Sequence, residues 1–180
     1  MQDTLPIHFA PLQGYTEAIY RNAHDAFFGG VDTYYTPFVR LEKGNFRRRD
    51  VRGIEPENNG VPHLIPQLIA SSAEKAEVIL SLFIEKGYQE VDINLGCPFP
   101  LLAKRHNGSG ILPYPEEVKA LLSIVTRYPQ ISFSVKMRLG WEQPDECLAL
   151  APILNDLPLR QITMHPRLGK QGYKGEVDLQ

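Results

Sequence analysis

The segment Ile131-Ser132-Phe133-Ser134-Val135-Lys136-Met137-Arg138-Leu139 alternates apolar and polar residues from end to end. Successive side chains of a strand point to opposite faces. Ile131, Phe133, Val135, Met137 and Leu139 therefore share one face, and Ser132, Ser134, Lys136 and Arg138 share the other. The same parity recurs in two further runs. Val91, Ile93 and Leu95 oppose Asp92 and Asn94, and Ile162 and Met164 oppose Thr163, His165 and Arg167. One face suits packing against helices. The other carries polar groups that become denser toward the C-terminal end. Lys and Arg are rarely buried without a partner, so three strands with such ends predict a ligand there. The alternative is a solvated face of an open sheet, although parallel sheets are usually covered on both faces.

Outward from these strands, apolar runs of strand length alternate with helical patterns. The strand candidates are Ile7–Pro11, Asp32–Thr36, His63–Ile69, Glu90–Asn94, Ser132–Arg138 and Gln161–His165. The helix candidates are Glu17–Phe28, Ala73–Lys86, Glu116–Tyr128 and Asp145–Asn155. Ser71-Ser72-Ala73-Glu74 resembles a capping box, and Gly87 closes the same helix. Leu41–Val61 gives no regular pattern beyond irregular or short-helical chain. Strand–helix alternation implies parallel strands with helical crossovers. No GxGxxG follows the first strand, which disfavours a dinucleotide-binding unit. The expected fold is α/β, a (β/α)8 barrel of TIM type with its active site at the C-terminal strand ends. It is expected to be incomplete, with about six of eight βα units present.

Composition narrows the class. Hydrophobic residues make up 43% and charged residues 22%, the balance of a soluble globular chain. No stretch approaches the apolar length of a membrane span, and Met1–Pro11 lacks the layout of a signal peptide. Cys97 and Cys147 lie far apart, so neither a disulfide framework nor a metal site is expected, and a cytoplasmic setting is the default. Net charge is -2, yet the charges are polarised. Arg40, Lys43, Arg47, Arg48, Arg49 and Arg52 face only Glu42 and Asp50 in their segment. Lys104, Arg105 and His106 form a second cluster, and Lys170 and Lys174 a third. Such a distribution permits a polyanionic partner; solvated basic loops are the plainer explanation.

Several segments line up, in order, with the tRNA-dihydrouridine synthases. Ala10-Pro11-Leu12-Gln13-Gly14-Tyr15-Thr16-Glu17 resembles the family's A-P-M-x-G-x-T-D opening, with Leu12 and Glu17 as conservative departures. Asn94-Leu95-Gly96-Cys97-Pro98 is similar to N-x-G-C-P. Lys104-Arg105-His106-Asn107-Gly108-Ser109-Gly110 resembles the basic, glycine-containing loop that follows. Val135-Lys136-Met137-Arg138, His165-Pro166-Arg167 and Gln171-Gly172-Tyr173-Lys174-Gly175 resemble V-K-x-R, H-x-R and Q-x-Y-x-G.

The resemblance implies FMN-dependent reduction of the C5=C6 bond of a uridine in tRNA, with NADPH or NADH as reductant. It implies that residues 1–180 are the N-terminal part of a flavin-binding barrel domain. The last strands and a helical tRNA-binding domain are expected to be absent from it. Cys97 then suits the acid that protonates C5, since a thiol of pKa about 8.5 is mostly protonated at neutral pH. The alternative for Cys97 is a small buried apolar group; for Cys147, in a helical Leu/Ala run, core packing is expected. Pro11, Leu12, Gln67, Lys136 and His165 are the expected flavin contacts. Lys136 would place an ammonium beside the reduced ring, or else pair with Asp92. Asn94, Arg138, Arg167, Lys104 and Arg105 are the expected tRNA contacts. Asn94 alternatively caps the following loop, and Arg138 alternatively makes an internal ion pair. Two other functions stay open. One is an FMN barrel acting on a free pyrimidine, like a dihydroorotate dehydrogenase. The other is an inactive fragment that persists by self-association through open sheet edges.

Overall fold

The computed structural model describes residues 5–179. The first residues of the Met1–Pro11 segment, and Gln180 at the end of the expected domain, lie outside the described residues. The chain runs β1 (His8–Phe9), α1 (Ala18–Phe27), β2 (Thr33–Tyr35), β3 (Leu41–Glu42), β4 (Asn45–Phe46), α2 (Arg48–Ile54), β5 (Leu64–Ile65) and β6 (Gln67–Leu68). It continues α3 (Ala73–Glu85), β7 (Glu90–Leu95), α4 (Pro100–Ala103), α5 (Pro115–Leu122), α6 (Ile124–Arg127), β8 (Ser132–Gly140), α7 (Glu146–Asn155) and β9 (Leu159–Leu168). No helix among the described residues is long and apolar enough to cross a membrane.

The strands pair in parallel, in the orders β1-β2-β5 and β6-β7-β8-β9. β5 and β6 are two halves of the run expected at His63–Ile69, divided by Pro66. Proline has no N–H for the ladder, yet its carbonyl still accepts from Asp92 N at 3.0 Å. Across the break, Val39 bridges Leu68, and Thr36 N donates to Ile65 O. The strands thus follow one another in chain order, as in a partial TIM-type barrel. No pairing between β1 and β9 closes it among the described residues.

Strand parity decides the core. Val91, Ile93, Leu95, Phe133, Val135 and Met137 are fully buried against Ile79, Leu80 and Phe83 of α3, Val118, Leu121 and Leu122 of α5, and Leu150 of α7. Burying each large side chain stabilises the fold by roughly 1.5–3 kcal/mol. β9 keeps the alternation, but Ile162 and Met164 remain 42% and 38% exposed on the face where a covering helix was expected. Cys147 is half-buried at the edge of the core, where its Sγ donates to Pro144 O at 3.1 Å.

Three local expectations are corrected. Glu116–Tyr128 is two helices, because Ser123 bonds back to Ala120 O at 2.7 Å and competes with the helical ladder. The cap of α3 is Ser72, accepting from Lys75 N; no Glu occupies the third helical position, so no capping box forms. Gly87, at φ +84°, does end that helix, with Tyr88 N donating to Phe83 O and Gly87 N to Ile84 O. Leu41–Val61, expected as irregular or short-helical chain, is the β3–β4 hairpin followed by the short helix α2. Lys43 and Gly44 turn that hairpin at positive φ, as a tight two-residue connection requires.

Candidate active site

The polar faces of β6 to β9 form rows across the sheet. Gln67, Asp92, Ser134 and Gln161 stand abreast; Asn94, Lys136 and Thr163 form the next row, and Arg138 pairs with His165 above it. The lower row is closed by hydrogen bonds. Ser134 Oγ donates to Asp92 Oδ1 and Gln67 Nε2 to Asp92 Oδ2, both at 2.6 Å. Burial pushes the Asp92 carboxyl up, while these two donors oppose the shift. Asp92 is therefore not paired with Lys136. Lys136 Nζ makes no ion pair or hydrogen bond among the described residues and points into a cavity of about 1430 Å³. Burial pulls its pKa down, and the through-space field of Asp92 pulls it back up.

The turn after β7 is held from four sides. Asn94 Oδ1 accepts from Gly96 N at 3.0 Å and Cys97 N at 2.8 Å, while Asn94 Nδ2 donates to Gln67 Oε1 at 2.7 Å. The capping role weighed for Asn94 is thus realised. Cys97 O accepts from Ser109 N and Ser109 Oγ, each at 3.0 Å. Gly108 lies at φ +61°, and a Cβ there would sit 2.6 Å from Cys97 O. Arg138 is buried and makes no ion pair among the described residues. Its Nε donates to Gly96 O at 2.8 Å and its Nη1 to Leu168 O and Gly172 O, and it stacks over Tyr173 at 5.4 Å. It ties the Cys97 turn to the loop after β9. Burial pushes the Cys97 thiol up; the Phe99 N–H and the fields of Arg138 and Arg40 pull against it. The net shift is upward, so Cys97 stays protonated at neutral pH.

His165 Nε2 lies 3.1 Å from Arg167 Nη1, which donates to it, so the imidazole proton sits on Nδ1. Burial, then Arg138, Lys136 and Arg167, pull its pKa down to about 4. His165 is a neutral group among cations.

Cys97, Pro11, Leu12, Gln67, Lys136, His165, Asn94 and Arg138 all line the one cavity, at the C-terminal ends of the strands. Three expected residues do not. Arg167 is turned onto His165 and Gly175 O. Lys104 borders a smaller neighbouring hollow with His106, Tyr114 and Trp141, and Arg105 lies on neither wall. Both follow α4, the single turn Pro100–Ala103. In their place the wall holds Gln13, Arg40, Arg47, Arg49 and Tyr173. The arginines were visible only as a basic run, without a strand to aim them. Gln13 was an unassigned position of the opening motif, and both polar atoms of its amide are shielded, with no partner among the described residues.

The arrangement can place a planar ligand between an ammonium and a protonated thiol. Gln67, though bonded at both ends, keeps one donor and one acceptor position. Residues present therefore fit a flavin pyrimidine edge and a negatively charged reduced ring.

Comparison with known proteins agrees with this geometry. The family model for dihydrouridine synthase (Dus) matches residues 8–180. The chain is 29% identical over 175 residues to a probable tRNA-dihydrouridine synthase 1 of Synechocystis sp., covering 93% of this chain and 47% of that protein. It is 28% identical over 187 residues to the tRNA-dihydrouridine(16) synthase of Haemophilus ducreyi, covering 94% and 54%. It is 32% identical over 114 residues to tRNA-dihydrouridine synthase B of Vibrio cholerae, covering 63% and 33%. The chain spans about half the length of the first and second of these relatives and a third of the other. With the motifs, the strand order and the cavity in agreement, the chain belongs to the dihydrouridine synthase family.

Proposed function

We propose that this chain carries the acid–base and flavin-binding half of an FMN-dependent tRNA-dihydrouridine synthase, reducing the C5=C6 bond of uridine in tRNA with NADPH or NADH. Residues 1–180 would be the N-terminal part of the barrel domain, and tRNA as substrate would place the protein in the cytoplasm. The supporting observation is that Cys97, Lys136 and His165 line one cavity from three adjacent strand ends.

FMN, when bound and reduced by the dinucleotide, supplies the hydride that adds to C6. The chain's residues do the rest. Cys97 gives its thiol proton to C5, and the thiolate left behind is stabilised by Arg138 and Arg40 until solvent reprotonates it. Lys136 and Gln67 would hold the flavin's anionic and amide edges, with Pro11 and Leu12 against its ring. Neutral His165 can donate through Nδ1 without adding a further cation to a cavity already lined by Lys136 and Arg138. Asn94 and Arg138 fix the turn that aims the sulfur.

The test offers the protein, FMN and NADPH with unmodified tRNA and, separately, with free pyrimidines, scoring dihydrouridine. Reduction of tRNA is expected, and Cys97→Ala should slow it by about 10²–10⁴. Reduction confined to free pyrimidines would favour the dihydroorotate-dehydrogenase-like function, and full activity of Cys97→Ala would remove the thiol from the mechanism.

A further inference from the structure

The basic run between Arg40 and Arg52 has only one member, Arg40, with a part in the chemistry above. We propose that Arg40, Arg47 and Arg49 form a cradle for the backbone phosphates flanking the target nucleotide of an RNA substrate. This rests on the function proposed above. The three reach the wall of the cavity that holds Cys97: Arg40 from just before β3, Arg47 from the N-cap of α2 and Arg49 from the first turn of α2.

One buried carboxylate organises them. The Asp50 side chain is 2% exposed. It accepts from Arg47 Nε at 2.8 Å and Arg47 Nη2 at 2.6 Å, and from the backbone N–H of Arg40 at 3.4 Å. Arg49 Nε stands 4.0 Å away. Asp50 thus takes the Nε and Nη2 edge of Arg47, leaves its Nη1 without a bond among the described residues, and fixes where the other two stand. Arg49 is 56% exposed. The Arg40 guanidinium has only Glu42 as an ion-pair partner among the described residues, 3.6 Å off and itself mostly exposed. Arg40 Nε is shielded from solvent and has no acceptor among the described residues.

Three guanidinium groups against two carboxylates leave the cradle positive, above a floor that adds Lys136 and Arg138. A guanidinium presents a planar fork that matches phosphate oxygens in pairs. A base that leaves its stack to enter a pocket leaves its own two flanking phosphates at the mouth. Lys104 and Arg105, expected in that role, stand off this wall.

The experiment is binding of unmodified tRNA by fluorescence anisotropy across a salt series. The full chain is compared with Arg49→Ala, Arg40→Ala/Arg49→Ala and Arg40→Lys, each checked by thermal melting. Each lost phosphate contact should lower the slope of log affinity against log salt by about 0.7–0.9. The double variant is expected to bind about tenfold more weakly and to lose between one and two such units. Arg40→Lys should keep the parent slope and regain part of the affinity, since an ammonium keeps the charge and loses the fork. Unchanged slopes in both Ala variants would overturn the cradle. So would a defect confined to KM for NADPH, which would assign these arginines to the dinucleotide phosphates. If the parent itself binds no tRNA, the proposed function falls as well, whereas parent binding with unaltered variants removes only the cradle.

Discussion

His165 is surrounded by Arg138, Lys136 and Arg167, and its pKa of about 4 is set by burial first and by those cations second. In the unfolded chain the imidazole takes a proton as pH falls through about 6.5, and in the folded chain it does not until about 4. The unfolded state therefore binds more protons across that window. The stability from keeping His165 neutral is complete above pH 6.5 and is lost as pH falls toward 4. Urea midpoints measured from pH 7 to 4.5 should fall for the parent, and His165→Asn should flatten part of that decline. A variant whose midpoints decline in parallel with the parent's would show that His165 does not titrate this way. At this scale the sequence was informative wherever parity decided. Lys136 and His165 stand on the polar face because alternation puts them there, whereas Gln67 lies in a run without alternation and was chosen for its amide. Arg138 was not legible, because its partners are the carbonyls of Gly96, Leu168 and Gly172. Backbone acceptors leave no residue signature, so neither an ion pair nor a substrate contact could have been chosen between in advance.

Among the elements, the loop between β7 and α5 does more than carry basic charge. Gly108 lets it lie directly on Cys97: its φ of +61° is left-handed, and a Cβ would meet Cys97 O, Cβ and N at 2.6–2.9 Å. Gly172 gives a control, since it has nearly the same φ, +59°, and open space around its missing side chain. Gly172→Ala incurs conformational strain alone, about 1 kcal/mol. Gly108→Ala incurs the same strain plus a clash with backbone, and should be the more destabilising of the two in denaturant melts. It should also shift the Cys97 thiol pKa, followed by alkylation rate against pH, because Cys97 and Ser109 must separate. Equal destabilisation by the two substitutions would mean that the loop yields freely and that Gly108 does not position the sulfur. The glycine-containing loop was recognisable as a motif. Its contact with Cys97 was not, because ten residues lie between Cys97 and Gly108 and only the fold brings them together. Pro66 shows the same limit. The strand around it was foreseen as one run, but a missing N–H splits its ladder between β2 and β7.

For the whole molecule, the order of the parallel strands follows from strand–helix alternation, and that much was readable from periodicity. Coverage of the last strand was not. β9 is ten residues long and pairs with β8 on one side. Its other side receives no strand among the described residues; near its end Asp178 N donates to Pro166 O. Ile162 and Met164 are exposed on its apolar face, and Phe27 and Phe28 are more than four-fifths exposed at the end of α1. A long edge strand with uncovered apolar residues is a template for pairing with another chain. The isolated 180-residue chain is therefore expected to self-associate, with a sedimentation-velocity mass that grows with protein concentration. Ile162→Lys should suppress that growth, because an ammonium on the uncovered face must be desolvated when two copies meet, and an unpaired buried charge is costly. The substitution lies on the face opposite Thr163 and His165, so it tests the edge without altering the cavity wall. A chain that stays monomeric at every concentration, or an Ile162→Lys variant that associates as the parent does, would show that β9 is not the surface responsible.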